Sequence, residues 1–253
     1  MLSISLTELR RYVGEMRSYL VDFVFMSLND IFMIVGLIAG VVGRESDMAR
    51  LHQVIIGLLV WRISASAIQS MSALLQSELR LGTFEQLLLS KTPVTQVILI
   101  RLAVNIVIEC AVFMVLCVVG LLALGKPWTS ALVRPAEAVG ILIGSVGFVG
   151  LGMLFCGWTL RFKRATSVAR FASNLILFFS GLLFPLSSVS AGLELGARFF
   201  PFVWLQEWLQ EGSSRLTFPW LLVLTSSAWF VLGSWSYAAN LASQRRRGST
   251  SHH

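Results

Sequence analysis

Residues 95–124 read TQVILIRLAVNIVIECAVFMVLCVVGLLAL. Only Arg101 and Glu109 carry charge in these thirty positions. A helix rises about 1.5 Å per residue, so roughly 20 apolar residues already cross a hydrocarbon core of about 30 Å. The stretch is too long and too apolar for one helix of a small soluble core, and it is read as a membrane span. The whole chain extends that reading. Of 253 residues, 56% are hydrophobic and 13% charged, against about 25% charged in a typical soluble domain. A chain this short cannot hide so much apolar surface in one interior, so a water-soluble globular class is excluded.

Outward from 95–124, apolar runs at 19–43, 52–76, 136–160, 167–186 and 219–242 complete an expected set of six spans. The fold class expected is all-α, a polytopic membrane protein. Leu2, Leu6, Leu9, Val13 and Met16 recur at helical steps among Arg and Glu, so residues 1–18 are expected to lie as an amphipathic helix along the membrane surface. No cleavable signal peptide is expected there. Residues 190–217 mix Gly192, Gly196 and Pro201 with aromatics, Glu194, Glu207 and Glu211. They are expected to form short re-entrant helices, tolerated at membrane depth where protein or water satisfies the backbone. The membrane unit covers 19–245, and the tail 246–253 resembles an appended tag.

The net charge of +7 is read as topology rather than as a nucleic-acid footprint. With the N-terminus inside, thirteen Lys and Arg fall in inner segments and six in outer ones, which places both termini in the cytoplasm. Chemistry-bearing motifs are scarce. Gly120-Leu-Leu-Ala-Leu-Gly125-Lys126-Pro127 imitates an ATP-binding loop, but Pro127 stands where that loop needs Ser or Thr. No catalytic pair and no metal cluster is apparent, and Cys110, Cys117 and Cys156 sit inside apolar runs as small hydrophobes. His52 reads as an interfacial residue.

Polar groups inside the spans say more. Asp22, Asn29 and Asp30 lie in the first, Arg62 in the second, Asn105 and Glu109 in the third. A charge at the bilayer centre costs roughly 2.5–3.5 kcal/mol on insertion scales and calls for a partner or water. Asp30 and Arg62 fall at similar depth, so an Asp30–Arg62 ion pair is expected, with Glu109 as the rival partner. Arg62, Ser66, Gln69, Ala73 and Gln76 recur at steps of four and three, one helical face, which packs inside the protein or lines a path. Asn174, Phe178 and Gly181 recur similarly in the fifth span. Gly36-x-x-x-Gly40 and Gly140-x-x-x-Gly144 permit close helix contact, read as packing within the chain.

Between the second and third spans stands Ser77-Glu78-Leu-Arg80-Leu-Gly82-Thr83-Phe84-Glu85-Gln86-Leu87-Leu88-Leu89-Ser90-Lys91-Thr92-Pro93. It resembles the E-x-x-x-G-T-[LF]-E-x-L-L stretch of ABC type-2 exporter permeases, including those of bacterial drug and antibiotic-resistance exporters. The resemblance extends over about 3–245 and takes in Gly181-Leu-Leu-Phe-Pro185 and Phe200-Pro201-Phe-Val-Trp204. It implies a permease in the bacterial inner membrane, working as a homodimer with two copies of a separate ATP-binding subunit that holds ATP and Mg; this chain would carry no cofactor and no enzymatic activity. Residues 78–92 would be the coupling helix, with Glu78, Arg80, Gly82, Thr83, Phe84, Glu85 and Leu88 engaging the ATPase. Trp61, Arg62, Ser66, Gln69, Asn174 and Phe178 would face the substrate path, and Leu182 and Leu183 would form a gate. The substrate expected is an amphiphile such as a drug, antibiotic or peptide. A lipid or lipid-linked glycan, with Trp204, Trp208 and Trp220 as sugar platforms, stays open, as does an integral membrane enzyme or scaffold.

Overall fold

A computed structural model describes residues 32, 35–36, 39–40, 48–89, 93–162, 166–179, 191–210 and 219–247. The described residues are helical, with turns and loops between, and contain no strand. Among the described residues from 48 onward the helices are, in chain order, α1 (Met48–Leu81), α2 (Phe84–Leu89), α3 (Val94–Ala123), α4 (Pro135–Phe162), α5 (Thr166–Phe179), α6 (Ala191–Ala197), α7 (Pro201–Gln210) and α8 (Trp220–Arg247), with a 3-10 turn at Trp128–Ala131. Among the described residues, four segments are long and apolar enough to cross a membrane, Leu51–Leu81, Val94–Ala123, Trp128–Phe162 and Trp220–Gln244. Most of the expected first span, the end of the fifth and the N-terminal helix lie outside the described residues.

The helix ends are written in the sequence. Gly82 closes α1 at φ 69° and Gly125 closes α3 at φ 66°, backbone that glycine adopts without a Cβ penalty. At each, the next amide reaches back to a carbonyl five residues earlier: Thr83 N–H to Glu78 O at 3.1 Å, and Lys126 N–H to Leu121 O at 2.9 Å. Gly125 therefore ends a helix, and the imitation of an ATP-binding loop disappears into that turn. Pro135 opens α4 at its first position, where its missing N–H costs nothing. Two positions later Glu137 reaches back to the Arg134 amide at 2.8 Å, as in a capping box.

Helix α1 is the hub: its long apolar face packs on α3, α4 and α5. Leu51, Ile55, Leu58, Ile63 and Ile68 join Phe113, Phe148, Phe202 and Leu205 in one core at what we call the upper end. Met71 and Leu75 join Phe84, Ile98, Leu102, Cys156, Leu160 and Tyr237 in a second core at the lower end.

Helices α4 and α8 run parallel with almost nothing between them. A side chain at Gly150 would strike the backbone of Trp229 and Phe230, and one at Gly233 would strike the Gly150 carbonyl. Helix α7 climbs α4 in the same manner: Pro201 sits against Gly147, Leu205 against Gly144, and Trp208 over Gly140. The Gly140–Gly144 pair thus packs inside the chain. At Gly36 and Gly40 an added Cβ meets nothing within 4 Å.

Candidate functional site

The polar stripe of α1 is divided between two neighbours. On one side, Arg62 Nε lies 3.5 Å from Glu109 Oε2 on α3. Asn105 on α3 donates to Ser70 Oγ at 2.9 Å and to Glu109 Oε1 at 3.0 Å, with Ser66 Oγ at 3.3 Å. An amide has two hydrogens, so the two shorter contacts take them. On the other side, Gln69 donates to Ser173 Oγ on α5 at 2.6 Å, and the Trp61 indole donates to the Ser173 carbonyl at 3.3 Å. Between those flanks the face stays open: Ala73, Ser77 and Arg80 are exposed, and Gln69 and Gln76 are half-exposed. Arg62 and Glu109 keep 25% and 23% of their side-chain surface, so the pair is reachable from the open face.

Of the residues expected on this face, Ser66 is 5% exposed and faces α3. Asn174 is exposed on the outer face of α5, and the neighbouring Ser173 makes the contact with α1 instead. Phe178 is helical, but its side chain lies outside the described residues, as do Asp30 and the expected gate residues Leu182 and Leu183. Among the described residues Arg62 lies against Glu109, the rival partner; the expected partner, Asp30, falls outside the described residues.

At the lower end, residues 78–89 of the expected coupling helix 78–92 are two pieces rather than one helix, and 90–92 lie outside the described residues. Glu78 and Arg80 belong to the last turn of α1; the separate helix α2 spans only Phe84–Leu89, because Gly82 turns the chain first. Glu78 is a clamp. Its Oε1 accepts from Arg101 on α3 at 2.5 Å, its other oxygen accepts from the Thr83 hydroxyl, and its carbonyl takes the Thr83 amide. Both side chains of the ion pair are nearly enclosed. Phe84 is 2% exposed in the lower core, whereas Leu81 is 73% and Leu89 87% exposed. Phe84 thus pins the start of the short helix to the lower core, Leu89 lies bare at its far end, and Leu81 lies bare just before the Gly82 turn. Glu85 and Leu88 are helical, with side chains outside the described residues.

At the upper end His52 does more than its expected interfacial role requires. Its Nδ1 lies 2.9 Å from the Ser130 carbonyl, and its Nε2 lies 2.8 Å from Glu137 Oε1. A carbonyl only accepts, so Nδ1 donates, and His52 ties the start of α1 to the cap of α4. The contacts that the sequence did not foretell include His52–Glu137, Glu78–Arg101 and Gln69–Ser173. Each joins residues far apart in the chain; the sequence marked Glu78 as part of a motif and Gln69 as part of a polar stripe but named no partner for either.

A search of curated proteins gives no match. A family model described as ABC-2 type transporter matches residues 3–212, which includes the open face of α1, the Glu78 clamp and the α6–α7 hairpin. The chain therefore belongs to the ABC-2 type transporter membrane family and is a membrane-embedded transport component, a permease.

Proposed function

We propose that this chain is the permease subunit of an ATP-driven exporter of an amphiphilic substrate such as a drug, antibiotic or peptide. Two copies with six spans each would pair in the bacterial inner membrane, with both termini in the cytoplasm. Two ATP-binding subunits would dock on the lower, cytoplasmic end. The hairpin α6–α7 would dip into the outer leaflet, and the open face of α1 with the exposed face of α5 would line the path.

The observation that carries the proposal is the build of the lower end. An exposed apolar helix end is costly in a chain that has membrane for its other apolar surface, and it fits a docking partner. The Glu78–Arg101 clamp gives a push on α2 a stiff route into α3, while Phe84 carries it into the core shared with α4 and α8. ATP-driven closure of the partner subunits would shift α3 against α1 and change which side of the bundle is open. Such coupling needs a different affinity for substrate in the two states, and the reachable Arg62–Glu109 pair is where α1 and α3 would exchange contacts.

Placing a charge on the presented leucine tests the docking. Leu89→Asp is expected to lower co-purification of the ATP-binding subunit at least tenfold while leaving the melting temperature of the permease unchanged, since a side chain 87% exposed contributes little to the fold. Full co-purification with that variant would count against the lower end as the docking surface.

The lipid-linked glycan alternative loses two of its three platforms. Trp208 is packed over Gly140 and Trp204 covers Arg198, leaving Trp220, 71% exposed, as the open ring.

A further inference from the structure

The segment α6–α7 and the upper half of α8 enclose a second feature. It is a groove of about 520 Å³ floored by Leu224, Thr225, Ala228 and Leu232 of α8 and walled by Phe199 and Trp204. Leu224 to Leu232 spans about 12 Å of helix. The polar atoms of its lining are already engaged. The Thr225 hydroxyl donates to the Leu221 carbonyl at 2.7 Å and turns its methyl outward. The Trp229 indole donates to the Phe199 carbonyl and the Trp204 indole to the Arg198 carbonyl, each at 2.7 Å. The groove therefore offers hydrocarbon only, and a polar occupant would lose its hydrogen bonds on entry.

Its rim is different. Arg198 reaches Glu194 at 2.9 Å and Glu207 at 3.8 Å, and its guanidinium lies 5.5 Å from the Trp204 ring centre. Arg198, Glu194 and Glu207 all remain substantially exposed at 44%, 35% and 42%. One guanidinium beside two carboxylates complements a headgroup that carries one phosphate and one ammonium. The phosphate fits the donor fork of Arg198, and the ammonium fits the surplus carboxylate. An anionic headgroup without the ammonium would set its charge against Glu194 and Glu207. We propose that this groove is a binding site for a zwitterionic phospholipid of the phosphatidylethanolamine type, one acyl chain lying along α8 and the headgroup bridging Arg198 and the two glutamates. The proposal stands apart from the exporter reading, since it needs only a membrane around the upper half of α8.

Native mass spectrometry of the full chain, delipidated in detergent and then offered dioleoyl phosphatidylethanolamine or dioleoyl phosphatidylglycerol at equal concentration, tests it. One phosphatidylethanolamine per chain is expected, retained about tenfold better than phosphatidylglycerol. Ala228→Trp, which fills the groove, is expected to remove that lipid; Leu224→Trp, one turn away, serves if Ala228→Trp does not fold. Glu194→Gln with Glu207→Gln is expected to bring the two lipids within about twofold of each other. Equal retention of both lipids by the unaltered chain overturns the proposal, as does undiminished phosphatidylethanolamine on the filled groove. A filled groove that instead changes the oligomeric mass would show that another protein segment occupies it, and also overturns the proposal.

Discussion

Two of the seams in the bundle are built from opposite materials. Along α4 and α8 the backbones touch through Gly150 and Gly233. Along α1 and α3 the helices meet through Arg62, Glu109, Asn105, Ser66 and Ser70. Within lipid there is no hydrophobic drive to press one apolar helix on another, so the glycine seam is stabilised by close dispersion contact. Its geometry admits one arrangement. The polar seam is more costly to insert and gains less per bond, yet its hydrogen bonds can be exchanged for others as the helices slide. The contrast marks α4–α8 as a fixed seam and α1–α3 as an adjustable one, with α1 also held to α4 where Gly152 faces the Ala67 carbonyl. The adjustable seam is the one clamped to the lower-end lever.

Loss of the glycine seam is expected to have the largest effect. Gly233→Leu drives a side chain into the Gly150 carbonyl and is expected to cost at least about 3 kcal/mol, read as loss of monodisperse protein in fluorescence-detected size exclusion. A stable, fully monodisperse variant would mean that the α4–α8 seam is not built as described.

The polar seam should yield less and recover. Arg62→Met strands Glu109 and is expected to cost about 2 kcal/mol, below the usual figure for breaking a buried pair because both groups are partly open. Adding Glu109→Gln keeps an acceptor for Asn105 and should restore at least half of that loss, measured by thermal unfolding in detergent. Transport should stay low in the double variant if the pair works beyond fixing register; recovered transport would reduce it to a structural contact. Smallest is Ser70→Ala, which removes one acceptor for Asn105 and is expected to cost about 0.6 kcal/mol, the common scale for hydrogen bonds between membrane helices.

The glycine seam was less legible in the sequence than the polar one. Hydrophobic length located α3, α4 and α8 to within a few residues, because crossing lipid fixes helix length. The expected second span, 52–76, falls short of α1, Met48–Leu81; its last turn is amphipathic, and apolarity alone does not mark the end that Gly82 sets. The period of Arg62, Ser66, Gln69, Ala73 and Gln76 gave the face. It gave neither the split of that face between α3 and α5 nor the choice of Ser173 over Asn174, since a one-residue step turns a helix by about 100° and only packing fixes that phase. The glycines of α4 were visible, but which of them met α7 and which met α8 depends on helices more than about fifty residues away. Glu78, Gly82 and Thr83 were recognised as a pattern, while their physical purpose, a helix stop clamped to Arg101, needed α3 beside them.

The claim that the clamp carries the motion is tested most directly by ATP-driven substrate transport in proteoliposomes holding Glu78→Gln permease with its ATP-binding subunit. Gln keeps an acceptor for Thr83 but removes the charge that holds Arg101. The account predicts that the ATP-binding subunit stays bound while transport falls about tenfold, the loss of one enclosed charge-assisted contact. Transport at the unaltered rate, with the ATP-binding subunit bound as before, would contradict it.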